Sequence, residues 1–311
     1  MRMLDGLKSR LTRRCLRPRL CFMHVPKAAG TTMIEQIEFI LRPRRRGYWL
    51  DGTQFGAFDR FQTMDKKVRN SIVFDIHQIP EDTDVLMGHM GLKTLEKRFP
   101  EARKATIVRE PVARLISQWL YHRTYDEGRI ALYGEWGEAI ALSRLSLRAY
   151  LSQRDVFCLT DNVLTRMLLW PHPLISENSA LETAHDDFLY REARAALERF
   201  DYIDSAENEG LIGNFSAWLD LTYGTALLSR LKTLAGEKDR NTVRNAFVSV
   251  NGGRAIDIDA EIAEAEPALQ ARTRIDQKLW DHIISNKLGK SAEIFRGHAW
   301  QSAIGRYRSA A

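Results

Sequence analysis

The sequence predicts an α/β fold: a parallel sheet flanked by helices, with a mainly helical second half. Three observations predict it. Short apolar runs at 20–25, 72–76, 84–87 and 104–108 have the length and near-continuous hydrophobicity of buried strands. Stretches of helical period separate them, as in βαβ units. Beyond residue 130 the pattern is almost wholly helical.

The elements follow in order. Leu20-Cys21-Phe22-Met23-His24-Val25 is an apolar run ended by Pro26 and fits a buried strand. A loop of small residues, Pro26-Lys27-Ala28-Ala29-Gly30-Thr31-Thr32, follows it, and apolar residues at 33, 34, 37, 40 and 41 then mark a helix. A short helix at 95–98 separates the strands at 84–87 and 104–108. Pro111 stands where a first helical turn accepts proline, and apolar residues at 112, 115, 116, 119 and 120 predict a helix over 112–123. Further helices are predicted at 136–151, 161–170, 179–199, 209–233 and 267–288, with one more strand at 200–203. The polar, glycine-containing stretch 234–258 reads as a long loop. No repeat and no linker is visible, so 20–311 reads as one domain and 1–19 as an appended basic tail.

Composition excludes several classes. With 311 residues, 44% hydrophobic and 28% charged, the chain is no collagen, rod, low-complexity chain or disulfide-held mini-protein. It shows no apolar run long enough to span a membrane and no signal peptide. Cys15, Cys21 and Cys158 match no zinc or redox spacing and predict free thiols in a reducing cytoplasm. The net charge of +6 resides in the first 20 residues, where Arg2, Lys8, Arg10, Arg13, Arg14, Arg17 and Arg19 face only Asp5. The body is therefore balanced, which argues against nucleic acid as a partner. Leu4, Leu7, Leu11 and Cys15 fall at helical spacing. If helical, residues 1–19 would lie on an anionic surface such as the inner membrane; a frayed tail is the plainer reading, and an Arg-rich targeting peptide a third. The expected location is cytoplasmic.

Two segments carry chemistry. In the loop at 26–32, small residues let the backbone approach a ligand, and N–H groups leading into a helix suit an anion. Lys27 adds charge, and Thr31 and Thr32 add hydroxyls, so the loop predicts a phosphate-type ligand. It is not the usual nucleoside-triphosphate loop, because its lysine precedes the glycine. The second segment is Val108-Arg109-Glu110-Pro111-Val112-Ala113-Arg114-Leu115-Ile116-Ser117. Arg109 ends a strand, where it can reach a second phosphate, and Ser117 lies on the next helix.

Together, Phe22 to Thr32 and Val108 to Ser117 resemble the 5′-phosphosulfate loop and the 3′-phosphate motif of carbohydrate sulfotransferases. These enzymes use 3′-phosphoadenosine 5′-phosphosulfate (PAPS). The branch is similar to the heparan sulfate 2-O-sulfotransferases and bacterial relatives. Softer matches follow at Gly88-His89, at Asp161-Asn162-Val163-Leu164-Thr165-Arg166, and from Phe200-Asp201-Tyr202-Ile203 to Glu207. The resemblance implies a P-loop-like parallel sheet flanked by helices. It implies transfer of a sulfuryl group from PAPS to a hydroxyl of a carbohydrate or glycolipid. Lys27 would stabilise the leaving phosphate, while Pro26, Ala28, Ala29, Gly30, Thr31 and Thr32 cradle the 5′ end. Arg109 and Ser117 would take the 3′-phosphate, and His89 would act as base. Asn162 and Arg166, one helical turn apart, would face the acceptor or the coenzyme, with helix packing as the alternative, and Arg254 would close over the nucleotide. Transfer of this kind does not oblige a metal, and none is expected. Met87 stands where the family's H-G-H pattern has its first histidine, and Glu110 where it has aspartate, a change expected to matter little. His77 and Glu35 are the reserve bases, whereas His24 reads as a core histidine. Trp119, Tyr121, Tyr125, Trp136 and Trp170 suit sugar stacking, although such spacing more often marks core. A non-catalytic anion- or polysaccharide-binding protein on the same fold, or an atypical nucleotide-dependent kinase, would share some of these features.

Overall fold

The computed structural model describes residues 19–225, 256–293, 295, 296 and 299. The basic tail up to residue 18, Arg254 and most of the expected 234–258 loop lie outside the described residues.

Leu20–His24 is buried at every position, as a mid-sheet strand must be, and this strand (β1) pairs in parallel with neighbours on both sides. The others are β2 (Arg46–Leu50), β3 (Val85–His89), β4 (Arg103–Val108) and β5 (Tyr202–Ser205). All five form one parallel sheet in the order β2–β3–β1–β4–β5. The helices used below are α1 (Gly30–Leu41), α2 (Leu92–Arg98), α3 (Pro111–His122), α4 (Glu127–Ala131), α5 (Trp136–Ala141), α6 (Leu147–Ser152), α7 (Val163–Leu169), α8 (Asp186–Leu197), α9 (Leu211–Tyr223) and α10 (Ile258–His282).

The period of two along each strand divides the core. Leu20, Phe22, Met87 and Ile107 pack on one face with α1 and α9. Cys21, Met23, Leu86 and Val108 pack on the other with α2, α7, α8 and the second half of α10. A further core gathers α3, α5, α6 and the first half of α10 around Leu115, Trp119, Leu147 and Ile262. Helix α10 thus braces two cores. The thiols of Cys21 and Cys158 are free and buried, and desolvation pushes both up to about 12. No helix of the described residues is long and apolar enough to cross a membrane.

The structure corrects several expected elements. The run 72–76 is not a strand: Ile72 makes one isolated bridge to Leu50, and a capping box on Asp75 then starts a 3₁₀ turn. The edge strand is instead Arg46–Leu50, hidden in the sequence behind Arg42, Arg44 and Arg45. The helix expected over 136–151 breaks, because the Ser146 hydroxyl caps a new start at Leu147. Helix α10 begins nine residues before Pro267, capped by Asp257, and carries that proline inside it.

The cores are tied by side chains that replace backbone partners. The Asp276 carboxylate of α10 accepts from the Leu164 and Thr165 amides, both at 2.8 Å, and from the Thr165 hydroxyl at 2.7 Å. These are orphan donors of the α7 N-terminus. Asp276→Ala would strand two buried amides, and we expect a loss of about 3 kcal/mol in urea unfolding. Asp276→Asn keeps an acceptor and should lose less than half as much.

Candidate active site

β1 and β4 are neighbours whose onward connections leave in opposite directions, to β2 on one side and β5 on the other. Parallel sheets bind ligands in the crevice at such a switch point. Both motif segments meet there.

The loop after β1 is tightly wound. The Ala28 amide donates to the Val25 carbonyl at 3.2 Å, and Lys27 and Ala29 take left-handed conformations with φ of 66° and 57°. Each such non-glycine residue costs roughly 1–2 kcal/mol. The winding delivers the chain directly into the N-terminus of the next helix. Helix α1 opens at Gly30, so its first amides and the positive end of its dipole face the same crevice. Gly30 is required by close approach, since a Cβ there would lie 1.7 Å from His24 Nε2. Pro26, Ala28 and Gly30 are buried, Thr32 is half-buried and Thr31 is exposed.

Arg109 crosses the switch point. Its Nη1 donates to the Lys27 carbonyl at 3.0 Å, and its Nε lies 3.8 Å from the Glu207 carboxylate. Glu207 is held by the Ser205 hydroxyl and by the Glu110 amide at 3.3 Å. One of the softer matched segments thus supplies a neighbour of Arg109. Glu110 caps α3 by accepting from the Ala113 amide at 2.6 Å. Its carboxyl is pushed up to about 7, chiefly by burial, against the pull of the Ala113 and Val112 amides. Ser117 is buried two turns into α3, and its Oγ has no hydrogen-bond partner among the described residues.

Lys27 is half-buried, with its ammonium 3.5 Å from the centre of the Tyr121 ring. Arg129 of α4 lies 3.7 Å over Tyr125 and donates to the Tyr121 hydroxyl at 3.0 Å. A π-face holds a cation without neutralising it.

His89 ends β3 and is partly buried. Its Nδ1 lies 2.7 Å from the His24 carbonyl and must donate to it, which leaves the lone pair on Nε2. Desolvation lowers its pKa to about 4; the bond to the His24 carbonyl opposes the shift and Lys27 adds to it. His24 is buried, as a core histidine should be, yet it belongs to the site. Its ring lies 4.3 Å from His89 and beside Gly30, and its Nδ1 is 3.1 Å from the Tyr48 hydroxyl. Burial, then His89 and Lys27, hold its pKa well below the usual value. Met87 is packed in the core beside Phe22, two residues down the same face. His77 and Glu35 are exposed, on a 3₁₀ turn and on α1.

Asn162 and Arg166 are corrected. Asn162 Oδ1 accepts from the Ile275 and Asp276 amides at 2.8 and 3.3 Å. Arg166 is buried and donates to Asp161 and to the Ser176 and Ser179 carbonyls. Both are spent on joining α7 to α10 and the following loop, so neither faces a ligand. Trp119, Tyr125 and Trp136 are core residues. Trp170 instead lines a pocket of about 450 Å³ with Pro171, His172 and Ile175.

Sequence reasoning missed Tyr48, Gln118, His122 and Arg129. Only Gln118 and His122 carried a signal, lying on the same helix as Ser117.

The His89 ring should titrate near pH 4 in a proton NMR titration of the folded protein; a midpoint near 6.5 would contradict the geometry. The unfolded ring takes its proton near 6.5, so below that pH the unfolded state binds more protons. The contribution of His89 to stability is therefore full above 6.5 and is lost as pH falls toward 4.

Comparison with protein-family models and with curated proteins gives no match for this chain.

Proposed function

We propose that this protein is a PAPS-dependent O-sulfotransferase acting on a hydroxyl of a carbohydrate or glycolipid. The observation that carries this reading is the bond from Arg109 to the Lys27 carbonyl. It unites two motifs 82 residues apart into one cationic crevice at the switch point of the sheet. A P-loop-like fold belongs to the same reading, supported by a strand, a wound loop and a helix at the centre of a parallel sheet.

The roles are those the resemblance implies, and the geometry supports them as follows. The first amides of α1 and the Thr31 and Thr32 hydroxyls would hold the 5′-phosphate. Arg109 and Ser117 would hold the 3′-phosphate, and a buried hydroxyl without a partner suits that task. Lys27 would move from the Tyr121 ring to the bridging oxygen. There it would offset the charge that grows as the sulfur–oxygen bond to the 5′-phosphate breaks. The acceptor oxygen forms the new bond to sulfur, and its proton passes to His89 Nε2. A pKa near 4 is low for a base, and burial is its chief cause. The nucleotide's negative charges would raise it toward the working pH. The pocket beside Trp170 offers an aromatic wall for a sugar ring.

Titration calorimetry with adenosine 3′,5′-bisphosphate tests the reading. Wild type should bind at micromolar concentration. Arg109→Ala and Lys27→Ala should each weaken binding roughly tenfold or more, the usual worth of a charged hydrogen bond. His89→Ala should keep binding and lose transfer to a glycan. A folded wild type that binds none of the bisphosphate would overturn the proposal.

A further inference from the structure

Helix α3 carries a stripe of polar atoms of which the roles above use only that of Ser117. Arg114, Ser117, Gln118 and His122 fall at helical spacing, and each is less than 9% exposed. Arg114 Nη1, Ser117 Oγ, Gln118 Oε1 and His122 Nδ1 are buried with no hydrogen-bond partner among the described residues. Such orphans are few in a folded protein, and a row of them along one helix asks for a ligand.

The last two atoms specify what kind. Gln118 Nε2 and His122 Nε2 are 2.7 Å apart, so one of the two positions must donate to the other. If the amide N–H donates, the neutral ring keeps its proton on Nδ1, leaving an unmatched donor on His122 and an unmatched acceptor on Gln118. If the amide is turned over, the ring donates from Nε2, leaving an acceptor on His122 and a donor on Gln118. Either way one donor and one acceptor remain, both buried, on side chains one helical turn apart. The ring is neutral because burial first, then Lys27 and Arg129, lower its pKa to about 3. The smallest group that meets a donor and an acceptor together is a hydroxyl.

The position selects the source. A polymeric acceptor enters and leaves through open solvent, whereas these atoms are shielded, as in a site that encloses a small ligand. Gln118 directly follows Ser117, the residue assigned to the 3′-phosphate. Adenosine 3′,5′-bisphosphate has one free hydroxyl, on C2′, and it adjoins the 3′-phosphate. We propose that Gln118 and His122 bind the ribose 2′-hydroxyl of the nucleotide and make the site selective for ribose over 2′-deoxyribose. This rests on the nucleotide reading above.

The test compares adenosine 3′,5′-bisphosphate with 2′-deoxyadenosine 3′,5′-bisphosphate by calorimetry. Wild type should prefer the ribonucleotide roughly tenfold, the worth of a hydroxyl whose loss strands buried partners. The double variant Gln118→Met/His122→Phe replaces both partners by apolar groups and should melt at or above the wild-type temperature. It should bind the two ligands equally, and Gln118→Leu alone should lose most of the preference. Equal affinities in wild type would mean that the pair holds internal water only, and would overturn the proposal. A preference that survives in the double variant would overturn it too. Failure of wild type to bind either ligand is a different result, since it removes the nucleotide reading on which this inference stands.

Discussion

The hydrogen bond from Arg109 to the Lys27 carbonyl is the constraint on which the site depends. Left-handed backbone at Lys27 and Ala29 is unfavourable for residues with a Cβ, so something must hold it. Arg109 does so from one side of the switch point. From beneath, the His24 ring fills the space that any residue larger than glycine at position 30 would need. The loop is therefore wound before any ligand arrives, which is what electrostatic preorganisation requires.

The same packing sets the charge states. His24, His89 and His122 are all kept neutral by burial, with Lys27 adding to each shift. Glu110 and Glu207 face each other across the start of α3, and the carboxyl of Glu110 is held partly protonated near neutral pH. The cations Lys27 and Arg129 rest on tyrosine rings. The crevice thus gathers Lys27, the Arg109–Glu207 pair and neutral imidazoles, and the proposed binding of a polyanion rests on that setting.

Much of the fold was legible because it is locally encoded. β1, β3 and β4 are apolar runs of strand length, and α3 shows clean helical spacing after Pro111. The edge strand β2 was not legible, because an edge tolerates Arg46 and Gly47, and its partner His89 is 39 residues away. Lys27 and Arg109 meet through one hydrogen bond, Gly30 follows in the same loop, and Ser117 is buried on α3. Asn162 and Arg166 do not join them, for a nonlocal reason. Their residue types suit a ligand, but the groups that claim them, Ile275, Asp276 and the 176–179 carbonyls, lie far along the chain. His24 shows the converse, since burial and function coincide at one residue.

The most direct test of the account is hydrogen exchange of the intact protein with and without adenosine 3′,5′-bisphosphate. If the wound loop and the start of α3 form one anion cradle, amides in 26–33 and in 109–118 should slow together when the bisphosphate is added. Unchanged exchange in both segments, or protection confined to the 170–177 pocket, would contradict it.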